Sequence, residues 1–245
     1  MRQKLQEHLD LMRANEYLKV LTLRTIGNFL VISSLFMIGK TFYQPVKEEV
    51  RYAFDKTFAK KYVVAGENTA EKITRDFSST QPLSGLAKLL NVKQLEVLTP
   101  ADPNYSIVIP KIGANSRIIP NVNPADEKEY LEVLKRGVAQ ALGTAFPGEG
   151  GHMFLFAHST DYFWNVGTYN AIFYLLYKLE TGDEINLFYK GQRYVYKVTG
   201  KIEVDPSEVQ YLTRKTDSEF LTLQTCWPPG TTLKRMLVFA ERKIE

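Results

Sequence analysis

The sequence predicts a mainly β protein: a closed barrel of about eight short strands with short helices in the connections, preceded by an N-terminal transmembrane helix. Three observations predict it. An uncharged apolar run occupies residues 25–39. From Tyr105 onward, seven or eight short β-branched and aromatic runs follow one another closely. Only two segments of helical spacing interrupt them, which favours a small closed barrel over a doubly wound sheet.

The apolar run, "TIGNFLVISSLFMIG", has fifteen residues, short of the roughly 20 that span a bilayer. Its flanks lengthen it. Val20 to Leu23 are mostly apolar upstream, and Lys40 can extend its ammonium to the interface while Phe42 and Tyr43 sit at headgroup depth. A buried core helix and a cleaved signal peptide are the competing readings. No small-x-small cleavage site follows the run, so an uncleaved signal anchor is expected. Arg2, Lys4, Arg13, Lys19 and Arg24 precede the span against Glu7, Asp10 and Glu16. That modest bias points to a cytoplasmic N-terminus, with the rest of the chain outside the cell membrane.

The expected organisation is a cytoplasmic segment over 1–24, a transmembrane signal anchor over 25–43, a stalk or linker with some helix over 44–104, and a β-barrel domain over 105–245. In the stalk, Val46, Val50, Phe54 and Phe58 recur at helical spacing. "GENTAEKITRDFSSTQPLSG" is polar and rich in turn formers, and "LAKLLNVKQLEVLTP" reads as a short helix and a turn.

Within the barrel domain, "YSIVIPKI" and "SRIIPNV" read as edge or bulged strands because Pro110 and Pro120 interrupt them. "PADEKEYLEVLKRGVAQAL" reads as a helix with Asp126, Glu127 and Glu129 in its first turn, where the helix dipole favours anions. "MFLFA" is a buried strand. "TYNAIFYLLYKLE" reads as a second helix, ended by Thr181-Gly182-Asp183. "EINLFYKGQRYVYKVTGKIEV" reads as a hairpin turning at Lys190-Gly191. "EFLTLQT" and "RMLVFAER" complete the set.

Composition narrows the function. The chain has 245 residues, 44% hydrophobic and 24% charged, as folded globular proteins have. One cysteine excludes an intrachain disulfide, and three histidines leave little for a metal site, so no metal and no cofactor is expected. A net charge of +4 without a basic block gives no sign of nucleic-acid binding. Neither a Walker loop nor a GxGxxG follows a strand.

His158, Cys226 and Arg235 all fall at strand margins, so a barrel could gather them at one rim. A free thiol is only about 3% thiolate at pH 7 and needs help to act. An imidazole can move its proton, and a guanidinium can hold a carbonyl or a developing oxyanion. The three together suffice for acyl transfer through a thioester. Each also has an ordinary reading: an inert core cysteine, a structural histidine, a surface ion-pair partner. His152, after Gly-Glu-Gly-Gly, reads as a loop histidine. Trp164 and Trp227 fit either core or groove wall.

Several segments resemble the sortases, the membrane-anchored cysteine transpeptidases of bacterial surfaces. "TLQTC" (222–226) resembles their TLxTC signature. "IPKIGANSRIIP" (109–120) resembles their opening strands, and "GVAQALGTAFPGEGGHMFLFAHS" (137–159) the stretch leading to the catalytic histidine. "LETGDEI" (179–185) and "LKRMLVFAER" (233–242) resemble the later Gly-Asp turn and the arginine strand. The likeness runs in order over about residues 105–243.

The resemblance implies a sortase-like barrel with Cys226 as nucleophile, His158 as general acid/base and Arg235 as binder of substrate and oxyanion. Thr225 and Trp227 are implied in substrate binding. The implied enzyme is a cysteine transpeptidase that cleaves an LPxTG-like C-terminal sorting signal of secreted proteins between Thr and Gly. Its acyl group would pass to an amine acceptor, a cell-wall precursor or a pilin lysine. Ala157 stands where many sortases have Gly before the histidine, and Trp227-Pro228-Pro229 stiffens the loop after the cysteine. No second hydrophobic span follows Glu245, which argues against the pilin-polymerising members that carry a C-terminal anchor. "DPNY" (102–105) has the Asp-Pro of their lid, or is an ordinary turn. Two other readings stay open: a thiol protease with water as acceptor, and a non-catalytic, membrane-tethered β-barrel that binds a surface peptide.

Overall fold

In the computed structural model, which describes residues 2–58, 60–65, 95–159 and 171–243, the β-rich runs from Tyr105 to Arg242 close into one eight-stranded barrel. The chain forms two units, residues 1–46 and 47–245.

In the first unit the described residues all belong to α1 (Arg2–Thr57), which continues into the second. Its segment Glu16–Tyr43 has a mean hydropathy of 1.6 and is long and apolar enough to cross a membrane. Thr22, Thr25, Ser34 and Thr41 donate their hydroxyls back to carbonyls of the preceding turn. That spends polar groups that hydrocarbon could not satisfy.

The second unit begins with the last turns of α1. Arg51 pairs with Glu48 at 2.8 Å and donates from Nη2 to the Ile112 carbonyl at 2.6 Å. The Tyr62 hydroxyl donates to Asp55 at 2.6 Å. β1 (Lys61–Val64) and β2 (Leu95–Leu98) then form a parallel pair, with Val64 buried against Val108 and Phe188. The short helix and turn expected over 86–100 give way to strand at 95–98, and the residues just before it lie outside the described ones.

The barrel strands are β3 (Tyr105–Ile109), β4 (Ala114–Val122), β5 (Val138–Ala141), β6 (His152–Phe156), β7 (Glu184–Tyr189), β8 (Gln192–Val204), β9 (Phe220–Trp227) and β10 (Lys234–Arg242). They close in the order β10-β8-β7-β3-β4-β5-β6-β9. Two neighbouring pairs, β4–β5 and β6–β9, are parallel. α2 (Glu127–Leu134) supplies the crossover that the first of these needs. Asp126 caps it, accepting the Glu129 amide at 3.1 Å.

Local chemistry sets the corners. Lys190 and Gly191 both have positive φ, 50° and 79°, as a two-residue hairpin turn requires. Pro120 falls where the β4–β5 register shifts, between Ile119 and Val122. The helix expected over 124–142 stops at Leu134 and becomes strand at Val138. Gly137 permits this: a Cβ there would meet the Arg117 carbonyl oxygen at 2.6 Å. The helix expected over 168–180 is also corrected. Its described part, from Ala171, is a turn and one short 3₁₀ segment, Leu176–Lys178. Phe173, Leu175, Leu176 and Leu179 are all buried in the barrel core, so their spacing serves a plug rather than one helical stripe.

Side-chain alternation divides the barrel into two layers. Met153 and Leu155 of β6, Leu221 and Leu223 of β9, and Val238 and Ala240 of β10 point inward. Phe154 and Phe156 of β6 and Leu237 and Phe239 of β10 form an outer layer with Val133 and Leu134 of α2.

Candidate active site

β6, β9 and β10 are neighbours, and their registers bring three sequence-distant residues to one level. Arg235 of β10 is the direct antiparallel partner of Cys226 of β9. β6 runs parallel to β9 with Phe156 opposite Gln224. Ala157 continues the ladder, donating its amide to the Gln224 carbonyl at 3.1 Å. His158, two positions beyond Phe156, therefore stands level with Cys226, two beyond Gln224.

Alternation then decides the side. His158 shares the parity of Phe154 and Phe156, and Arg235 that of Leu237 and Phe239. Cys226 has the parity opposite to the inward Leu221 and Leu223. All three point to the outer layer, where they line one cleft of about 450 Å³. Its apolar wall includes Tyr130, Leu131 and Leu134 of α2, and its far side Val209 and Leu212 of the β8–β9 connection.

Thr225 fixes this arrangement. It is buried, and its hydroxyl donates to the Ala157 carbonyl at 2.9 Å. The bond ties the residue before Cys226 to the residue before His158. Phe173 adds its amide to the His158 carbonyl at 3.2 Å. The backbone on both sides of the cleft is thus held by ordinary hydrogen bonds.

Cys226 is half-buried and unbridged. Burial pushes its thiol up from the ordinary value, and the Arg235 guanidinium works against that rise. Arg235 donates from Nη1 to the Thr232 and Lys234 carbonyls at 3.2 Å. Those bonds orient the guanidinium, and among the described residues no carboxylate pairs with it.

The other sequence-derived candidates separate. Thr225 contributes to the cleft lining, but its hydroxyl is committed to Ala157. Trp227 carries the inward parity and packs on Tyr177, ring centroids 4.9 Å apart. It is not among the residues lining the cleft. Trp164 lies outside the described residues. His152 is not a loop residue: it opens β6, is buried, and shares a 2.9 Å hydrogen bond with the Thr222 hydroxyl. Residues 102–104 do not cover the cleft. The Gly191 and Lys190 amides donate to the Pro103 and Asn104 carbonyls, at the end of β8 away from Val204, the partner of Arg235. Sequence reasoning missed the α2 and Val209–Leu212 walls, whose only signal was scattered apolar residues.

A family model for the sortase domain matches residues 107–243. The chain belongs to the sortase family. Sortase D of Bacillus subtilis (strain 168) is 26% identical over 137 residues, which cover 55% of this chain and 61% of that relative. The chain thus matches less than two thirds of that relative's length. Among solved structures, sortase C-1 from Actinomyces oris is 31% identical with a TM-score of 0.48, covering 59% of this sortase and 76% of that chain. Sortase A from Corynebacterium diphtheriae is 28% identical with a TM-score of 0.47, covering 58% and 61%.

Proposed function

We propose that this sortase is a membrane-anchored cysteine transpeptidase acting on C-terminal sorting signals of the LPxTG kind, with Cys226 as nucleophile, His158 as proton carrier and Arg235 as oxyanion binder. The observation that carries the reading is the convergence of these three side chains on one face of neighbouring strands, in one cleft. A binding module has no need of that convergence.

In the proposed reaction, the Cys226 Sγ attacks the carbonyl carbon of the signal's Thr–Gly bond as its proton passes to His158. The Arg235 guanidinium faces the negative oxygen that develops. Collapse breaks the C–N bond, and the His158 imidazolium gives its proton to the departing Gly amine. The product is a thioester on Cys226. An acceptor amine, from a cell-wall precursor or a pilin lysine, then attacks that thioester. Its proton moves through His158 to the leaving sulfur, which restores the thiol. The apolar wall of Tyr130, Leu131 and Leu134 suits the Leu and Pro of such a signal. The apolar segment Glu16–Tyr43 supports a single-pass anchor, with a cytoplasmic N-terminus and the barrel outside the membrane.

The test mixes the detergent-solubilised full chain with sorting-signal peptides and a free amine, alongside Cys226→Ala. Amine-dependent transfer that vanishes in the variant is expected. Cleavage without an amine adduct would make the enzyme a thiol protease, and no cleavage across a broad peptide panel would favour the binding module.

A further inference from the structure

Just beyond its apolar segment, α1 reaches the end of the strand that carries Cys226. The Tyr177 hydroxyl donates to Glu49 Oε1. Lys178 closes the other side, with Nζ 3.4 Å from Glu49 Oε2 and 5.3 Å from the Tyr52 ring centroid. Lys201 Nζ holds the backbone there, donating to the Tyr177 carbonyl and, at 2.9 Å, to the Leu179 carbonyl. The Tyr177 ring then packs on Trp227, the residue after Cys226.

This chain of contacts is partly buried and built from charged and aromatic groups. Burial raises the Tyr177 phenol, and the hydrogen bond to Glu49 raises it further. The phenol therefore stays protonated and donates to the carboxylate across the working pH range. A second tie reaches the barrel independently, through Arg51 and the Ile112 carbonyl. Residues 47–57 are therefore not a simple spacer.

We propose that Glu49 is a positioning residue for Cys226, acting through Tyr177 and Trp227. The carboxylate fixes the Tyr177 ring, the ring fixes the indole, and the indole sets how far the β9 end can open. The depth of the thiol, and so its readiness to ionise, depends on residues 47–57 of α1 being docked. For catalysis this rests on Cys226 being the nucleophile, but the packing claim does not.

The test uses Glu49→Gln, Tyr177→Phe and the double variant of the full chain in detergent. The chain has a single cysteine, so intact-mass measurement of iodoacetamide alkylation reports Cys226 alone. Both substitutions keep side-chain shape, and thermal midpoints identify any variant that unfolds. Each single variant is expected to alkylate about three-fold faster at pH 7, with the rate's pH midpoint moving down as the thiol becomes wetter. The double variant is expected to add nothing, because both changes break one link. A change in thermal midpoint with an unaltered alkylation profile, or effects that multiply in the double variant, would overturn the proposal. Peptide transfer assayed on the same samples keeps the two claims apart. Altered alkylation in the variants, with no peptide transfer even by the unaltered chain, would count against the transpeptidase and leave the positioning role standing.

Discussion

Arg235 and Cys226 stand directly opposite each other across the β9–β10 ladder. Such partners hold their Cβ atoms about 4.5–5.5 Å apart on one face of a sheet. A guanidinium is thus placed beside a thiol by backbone register alone, without a loop having to fold correctly first. His158 joins them from the parallel neighbour β6.

On the proposed role of Arg235, Arg235→Gln is expected to lower kcat/KM for peptide transfer by about 10²- to 10³-fold, the usual loss when a positioned oxyanion donor is removed. Arg235→Lys keeps the charge but not the planar fork and should recover only part of that. Thermal midpoints should barely move, because among the described residues the side chain bonds to the exposed Thr232 and Lys234 carbonyls. Steady-state kinetics alongside a melting curve checks both halves.

The Cys226 thiol is raised by burial and lowered by Arg235. At pH 7 it should therefore carry less thiolate than an ordinary cysteine, and its alkylation rate should climb through a midpoint above the ordinary thiol value of about 8.5. Arg235→Gln removes the lowering influence and should move that midpoint further up. A rate–pH profile with iodoacetamide reads both shifts.

Thr225→Val removes the hydroxyl that bonds the Ala157 carbonyl. Loss of one buried hydrogen bond should cost about 1 kcal/mol of stability. Activity should fall further, by about ten-fold in kcat, because the bond aligns the backbone on both sides of the cleft. Urea unfolding and single-turnover kinetics separate the two effects.

Much of this was legible in the sequence. Lys190-Gly191 marked a hairpin because two successive positive φ angles need such residues. The strand margins at His158, Cys226 and Arg235 placed them at one rim. Composition left Trp227 open between core and groove wall; alternation along β9 turns its ring from the side of Cys226 toward Tyr177. The helix expected over 168–180 failed because Phe173, Leu175, Leu176 and Leu179 plug the barrel core together. That tertiary demand leaves no trace in local periodicity. The glycines before His152 point to a loop, yet its partner Thr222 is 70 positions away.

That burial has a measurable consequence. His152 is held down to about 4 by desolvation, with repulsion from Arg214 adding to it. The folded protein keeps this imidazole neutral, whereas the unfolded chain protonates it near 6.5. Its contribution is fully present above 6.5 and is lost as pH falls toward 4, a total of about 2–3 kcal/mol. Glu219 acts in the same direction. Burial raises it, but hydrogen bonds from Tyr196 and Arg242 outweigh that and hold it below the usual carboxylate range. Urea unfolding at pH 7.5 and 4.5 should show a smaller acid loss in His152→Gln than in the unaltered protein, the remainder belonging to groups such as Glu219.

The most direct measurement is the intact mass of the full chain after mixing with a sorting-signal peptide and no amine. The thioester account predicts a gain equal to the peptide's N-terminal portion through Thr, located on Cys226, released by hydroxylamine and absent in Cys226→Ala. Peptide cleavage that proceeds with no such adduct, and survives the Cys226→Ala substitution, would contradict it.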